Sequence, residues 1–166
     1  MRMRPFPVVA TAVVVLLCLL VPAGVRVAQG KGKTVGPPEV AWKDMTFAQK
    51  KAYMKAAVTP TMKPIFQAFD AKKFKTVNCE TCHGKDGADR KFKMPSNDIH
   101  PLPGTKAAFE AKVKTEPTWP KWTEFMALKV EPAMGKLLDV PVFNPEKPVE
   151  GTFNCGKCHK IEGAKP

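Results

Sequence analysis

The sequence predicts a mainly α fold of short helices and long proline-rich loops, built as two copies of one unit. Three observations carry this expectation. No stretch alternates apolar and polar residues over the length of a strand. Seventeen prolines among 166 residues keep helices short, because proline lacks an N–H and its ring collides with the preceding turn. Finally, Tyr53-Met54-x-x-x-Val58-x-Pro60-x-Met62 returns as Phe125-Met126-x-x-x-Val130-x-Pro132-x-Met134, every position shifted by the same amount. Such self-similarity marks a repeated supersecondary unit.

Residues 1–30 read as a secretory signal. Arg2 and Arg4 form a basic start, Val8 to Val21 is an apolar run, and Ala28-Gln29-Gly30 offers a small-residue cleavage site. The run approaches the ~18 residues a membrane span needs, so an uncleaved anchor is the alternative. Cys18 follows Leu16-Leu17 inside the run. It lacks the small residue that lipid modification requires just before it, and it leaves with the signal. Residues 31–45 are a Gly-, Lys- and Pro-rich lead-in, expected to be flexible.

Residues 46–105 form the first unit. Thr46 caps a helix to about Val58, with Phe47, Tyr53, Met54 and Ala57 available to its buried face. Thr59-Pro60 reads as a break and fresh start, Pro60 suiting a first helical turn, and the second helix runs to about Phe69. Cys79-Glu80-Thr81-Cys82-His83 follows. The stretch from Phe92-Lys93-Met94-Pro95 to Pro101-Leu102-Pro103-Gly104 reads as an extended loop ordered by proline. Residues 106–166 form the second unit, opening on a short helix over Ala107 to Lys114 and then repeating the first. Val77-Asn78-Cys79 is answered by Phe153-Asn154-Cys155 at a shift larger by four, so the second copy carries an insertion of that length.

The chemistry lies in the two pentapeptides Cys79-x-x-Cys82-His83 and Cys155-x-x-Cys158-His159, which use four of the five cysteines. Cys-x-x-Cys-His is the c-type haem attachment signature. Thiols three positions apart reach the two vinyl groups of one haem as thioethers, and the adjacent imidazole becomes the proximal iron ligand. The fold is therefore expected to wrap around two covalently attached haems. Two Cys-x-x-Cys knuckles can also hold structural zinc, but zinc has no need of a histidine directly after both second cysteines. A thioredoxin-like redox pair expects a strand-to-helix context, which neither segment offers. Two disulfides closing four-residue loops are the remaining alternative.

The formal charge is +12. Removing residues 1–30 takes away three arginines and no acid, which leaves 24 basic against 15 acidic residues, a balance of +9. Four haem propionates offset part of this, and the cationic remainder would steer acidic protein partners. The lysines are dispersed and the chain is read as exported, so nucleic acid is not an expected partner. Membrane contact is expected only if the signal stays uncleaved.

Each iron has one further axial position. Methionine there raises the reduction potential, histidine generally lowers it, and an open position admits small molecules. The short tail after His159 holds neither Met nor His, so a ligand from this chain must lie upstream. Met134, upstream of Cys155, is the candidate, and by repeat symmetry Met62, upstream of Cys79, serves the first site. Met54 and Met126 are repeated too. Met94, in the loop past His83, and His100, the one histidine outside the motifs, are further rivals. For every methionine, ordinary core packing is the competing fate.

Through both pentapeptides the chain resembles the c-type cytochromes. The order of methionine, helix and haem motif resembles the multihaem cytochrome subunit of photosynthetic reaction centres, in which the distal Met precedes its motif. The Val-x-Pro-x-Met run is similar to that of small two-haem periplasmic cytochromes. With two motifs rather than four, photosynthesis does not carry over. The resemblance implies Cys79, Cys82, Cys155 and Cys158 as attachment points and His83 and His159 as proximal ligands. The signal and the haem motifs together point to an exported, periplasmic electron carrier; the modest length after the signal leaves little room for an enzyme's substrate pocket, and the repeat implies equivalent haems. A two-haem peroxidase or reductase is the alternative, for which His100 and Asp98 are the evident acid–base pair. A membrane-tethered subunit of a respiratory complex is another. Phe66, Phe69, Phe74, Phe92, Phe153 and Trp122 are available as an apolar shell.

Overall fold

After a short 3-10 turn at Trp42–Asp44, Thr46 starts the first α-helix, as the sequence predicts. Its hydroxyl accepts from the Gln49 N–H at 3.3 Å, while the Gln49 side chain accepts from the Thr46 N–H at 2.8 Å. This reciprocal capping box satisfies two donors that a helix start leaves unpaired. Helix α1 spans Phe47–Tyr53. The computed structural model describes residues 38–163; the proposed signal lies outside them. The described residues are mainly helical. No helix among them is long and apolar enough to cross a membrane.

The expected break at Thr59-Pro60 is not a break. The chain continues through one π-helical turn, Met54–Val58, directly into α2, Thr59–Phe69. Pro60 explains the turn. An α-helix would drive the proline ring into the carbonyl one turn earlier. Widening the turn so that the Thr59 N–H reaches the Met54 carbonyl keeps the backbone helical up to the proline. The first pentapeptide is itself a helix, α3, Cys79–His83. Next, α4 spans Lys106–Thr115 under a Thr105 cap, close to the predicted short helix. The π device then returns before Pro132. Helix α5, Trp119–Phe125, passes through a π turn at Met126–Val130 into α6, Glu131–Leu138. These three segments start at the positions to which the sequence repeat carries the starts of α1, the first π turn and α2.

Asn78 and Thr81 build a second capping box at α3, the Asn78 Oδ1 accepting from the Thr81 N–H and the Thr81 hydroxyl from the Asn78 N–H. Gly84 ends the helix at φ +78, where a Cβ would come within 2.6 Å of the Asp98 Cβ, so glycine is required there twice over. The second pentapeptide forms only a 3-10 turn, Cys155–Lys157. Asn154 is present, but lysine stands where Thr81 completed the first box, and Asn154 makes no cap bond.

Both long helical stretches, one from each half of the chain, contribute to one core. Val58, Met62, Phe66, Phe74 and Val77 from the first half meet Phe125 and Leu137 from the second. Phe69 stacks on Phe125 with centroids 4.1 Å apart, and Phe66 meets Phe125 edge-on at 5.4 Å. The Tyr53 hydroxyl donates to the Leu137 carbonyl at 2.6 Å, tying the end of α1 to the end of α6. Full burial of each such side chain stabilises the fold by about 1.5–3 kcal/mol. Of the proposed apolar shell, Phe66, Phe74 and Phe153 are buried, and Phe69 and Trp122 pack against this core.

Candidate functional site

The loop between α3 and α4 runs from the first pentapeptide to the second. Isolated parallel bridges pair Ser96 with His159 and Leu102 with Ile161. The Ser96 N–H reaches the Cys158 carbonyl at 3.4 Å, and the Leu102 N–H reaches that of Lys160 at 2.8 Å. The two motifs, remote in sequence, are thus neighbours.

Their side chains share one pattern of exposure. Cys79 and Cys155 are exposed, while Cys82, His83, Cys158 and His159 are half-buried. All four thiols are free. Burial, with Cys79 beside it, pushes the Cys82 thiol up to about 11. Burial, followed by the neighbouring Cys82, Cys155 and Glu131, pushes Cys158 up to about 12. Cys155 is raised as well, first by burial and then by Glu131, whose carboxylate accepts from its thiol at 3.8 Å. These are protonated thiols at neutral pH. Among the described residues no three His, Cys, Asp or Glu side chains converge as a metal site.

His159 is oriented by a single bond, its Nδ1 lying 2.8 Å from the His100 carbonyl oxygen. A carbonyl can only accept, so Nδ1 is the donor, and in the neutral ring Nε2 is then the nitrogen with the lone pair. That is the state a metal-ligating imidazole needs. His83 is held differently. Its ring lies edge-on to Phe92 with centroids 5.3 Å apart, and its Nδ1 is buried without a hydrogen bond of ordinary geometry. Burial and then the Arg90 charge lower its pKa, opposed by a hydrogen bond with the Phe92 backbone.

The polar bonds at His83 go to its carbonyl instead. Arg90 Nη2 donates to it at 2.8 Å and the Ser96 hydroxyl at 3.0 Å. Arg90 is oriented by a two-bond pairing with Asp86, at 2.7 and 3.0 Å. Ser96 is fully buried and also accepts from Arg90 and from the Asp98 N–H. Nothing in the sequence singled out this network. Its parts are ordinary polar residues of a loop, and only the fold brings them to the motif.

The methionines separate into two groups. Met62 is only 2% exposed and sits in the core. Met134, Met54 and Met126 pack against that core half-buried, as does Cys82. The core thus brings the first motif together with four of the proposed methionines. Met94 is half-buried in the loop, apart from this cluster. The His100 ring is already engaged, its Nε2 lying 2.8 Å from Lys112 Nζ and its centroid 5.5 Å from that of the Trp119 ring in an edge-on contact. Asp98 is committed elsewhere, accepting from the Lys85 N–H at 2.6 Å.

Comparison of the chain with protein-family models, curated proteins and solved structures found no match.

Proposed function

We propose that the protein is a two-haem c-type cytochrome, exported by residues 1–30 and carrying electrons between protein partners. The observation that carries this reading is the pair of Cys-x-x-Cys-His sequences presenting two free thiols and an imidazole each with the same exposure. The residues fit the group. Cys79 and Cys82 would hold one haem and Cys155 and Cys158 the other, with His83 and His159 as proximal ligands. Met62 and Met134 would be the distal ligands. When bound, haem supplies reversible one-electron Fe(III)/Fe(II) chemistry.

The chain's own part is to attach, orient and exclude water. His159 has its ligating nitrogen free because His100 holds the other one. The matched starts of the helices and π turns support a two-fold repeat in which each π-interrupted helix precedes its own attachment site. Phe66, Phe74 and Val77, buried beside Met62, would keep solvent from the first iron and favour low reorganisation and a raised potential. The cationic balance of the exported chain supports acidic docking partners, met through the small interfaces of transient redox encounters.

A peroxidase or reductase needs an open axial position beside an acid–base pair. Asp98 and His100, the candidates for that pair, are each bound to other groups, which favours the carrier. Carbon monoxide added to the reduced protein tests the choice. The carrier is expected to show no rapid binding at either site, because a methionine closes each iron. Rapid binding at one haem would instead identify an enzyme.

A further inference from the structure

We propose that Glu131 is a charge that lowers the reduction potential of the second haem: the helix carrying Met134 holds its carboxylate against Cys155, and the repeat puts an uncharged threonine in its place in the first unit. This deepens the haem reading above and rests on it.

Glu131 opens α6 and stands on that helix one turn before Met134, a spacing that puts two side chains on one face. The second motif approaches it from the other side. The Cys155 thiol donates to Glu131 Oε2 at 3.8 Å, across 24 positions of sequence. One carboxylate thus lies against the attachment cysteine and on the helix face of the proposed distal ligand. The side chain is half-buried, and burial raises its pKa, opposed by the bond from Cys155. Among the described residues it forms no ion pair.

The first unit has no such group. Thr59 lies between Val58 and Pro60 as Glu131 lies between Val130 and Pro132, and it is half-buried too. The other charges at the motifs do not offset the difference. Glu80 and Lys157, inside the pentapeptides, are exposed, where water and salt screen them. Arg90, bonded to the His83 carbonyl, is neutralised by its two-bond pairing with Asp86.

Attachment sharpens the effect. Adding the Cys155 S–H across a vinyl group makes one carbon–sulfur and one carbon–hydrogen bond and needs no oxidant or reductant. Glu131 then loses the one donor that the described residues give it. An unpaired negative charge partly shielded from water stabilises Fe(III) over Fe(II), and so lowers the potential.

Proton NMR of the intact protein, followed through a redox titration, gives a potential for each haem and tests this. Glu131→Gln keeps the shape and removes the charge. It is expected to shift the second haem's equilibrium toward Fe(II) by on the order of tenfold, about 59 mV for one electron, and to leave the first haem unchanged. The methionine–iron charge-transfer bands should stay intact, which a displaced α6 would not allow. Glu131→Asp, which keeps the charge, should hold the second potential near that of the wild type. The shift in Glu131→Gln should persist in about 1 M salt, where exposed charges are screened within ~3 Å. A second potential that does not move in Glu131→Gln, or that moves equally with the first, would overturn the proposal. So would an equal shift in Glu131→Asp, or one that vanishes in salt. A chain without haem would sink the functional reading itself, whereas two attached haems indifferent to Glu131 sink only this assignment.

Discussion

Met62→Leu is expected to give a folded protein that has lost the methionine–iron charge-transfer band of one haem, whose potential falls. Leucine matches methionine in volume and apolarity, so the core around position 62 is kept. Such swaps cost less than about 1.5 kcal/mol. What leucine lacks is sulfur. Met62→Ala removes both packing and ligand, and its stability loss should be larger, about 2–5 kcal/mol. The side chain is 2% exposed in a cluster with Val58, Phe66, Phe74 and Phe125, so truncation to alanine opens a cavity in the core. The two substitutions therefore separate the roles. A methionine that only packs would give leucine a spectrum like the wild type's, and near-infrared absorption of the oxidised protein would then retain the full band. The same comparison at Met134, half-buried against the same core, addresses the second iron.

The second large effect concerns attachment. The double substitution Cys155→Ser, Cys158→Ser is expected to leave a chain with one haem, held at Cys79 and Cys82. The first motif has its own capping box, its own glycine stop and the Arg90–Ser96 bonds to the His83 carbonyl, none of which involves the second pair's thiols. The reciprocal substitution at Cys79 and Cys82 should be more damaging, because Cys82 packs against the core and the first pair lies on a capped α-helix, whereas the second motif starts on an uncapped 3-10 turn. Pyridine haemochrome absorbance per chain reads the outcome. Loss of both haems in the first variant would contradict two independent attachment sites.

Local chemistry in the sequence predicts much of the architecture. Thr46 followed by Gln49 specifies a helix start, and the structure caps it there. The repeated Val-x-Pro-x-Met run likewise marks two helical stretches of matching organisation. It does not predict how the chain would pass the proline. A β-branched residue two places before Pro60 reads equally well as a helix end, and only the packing of α2 against the rest favours continuing through a wider turn. The unequal conformations of the pentapeptides follow from one substitution, lysine in place of the capping threonine, which a repeat measured at the matching positions overlooks. The surroundings of the histidines were the least legible. The His100 carbonyl is backbone and has no sequence signature, and Ser96 acts on His83 only because a loop of prolines and a glycine folds back. Long-range pairing of irregular segments leaves no periodicity to detect.

Intact mass spectrometry of the protein purified from an exporting, haem-ligating host tests the central claim most directly. The expected result is a chain cleaved near residue 30 whose mass exceeds that of the polypeptide by two haems, both surviving acid–acetone extraction. A polypeptide of bare mass, or one carrying zinc in place of iron porphyrin, would contradict it.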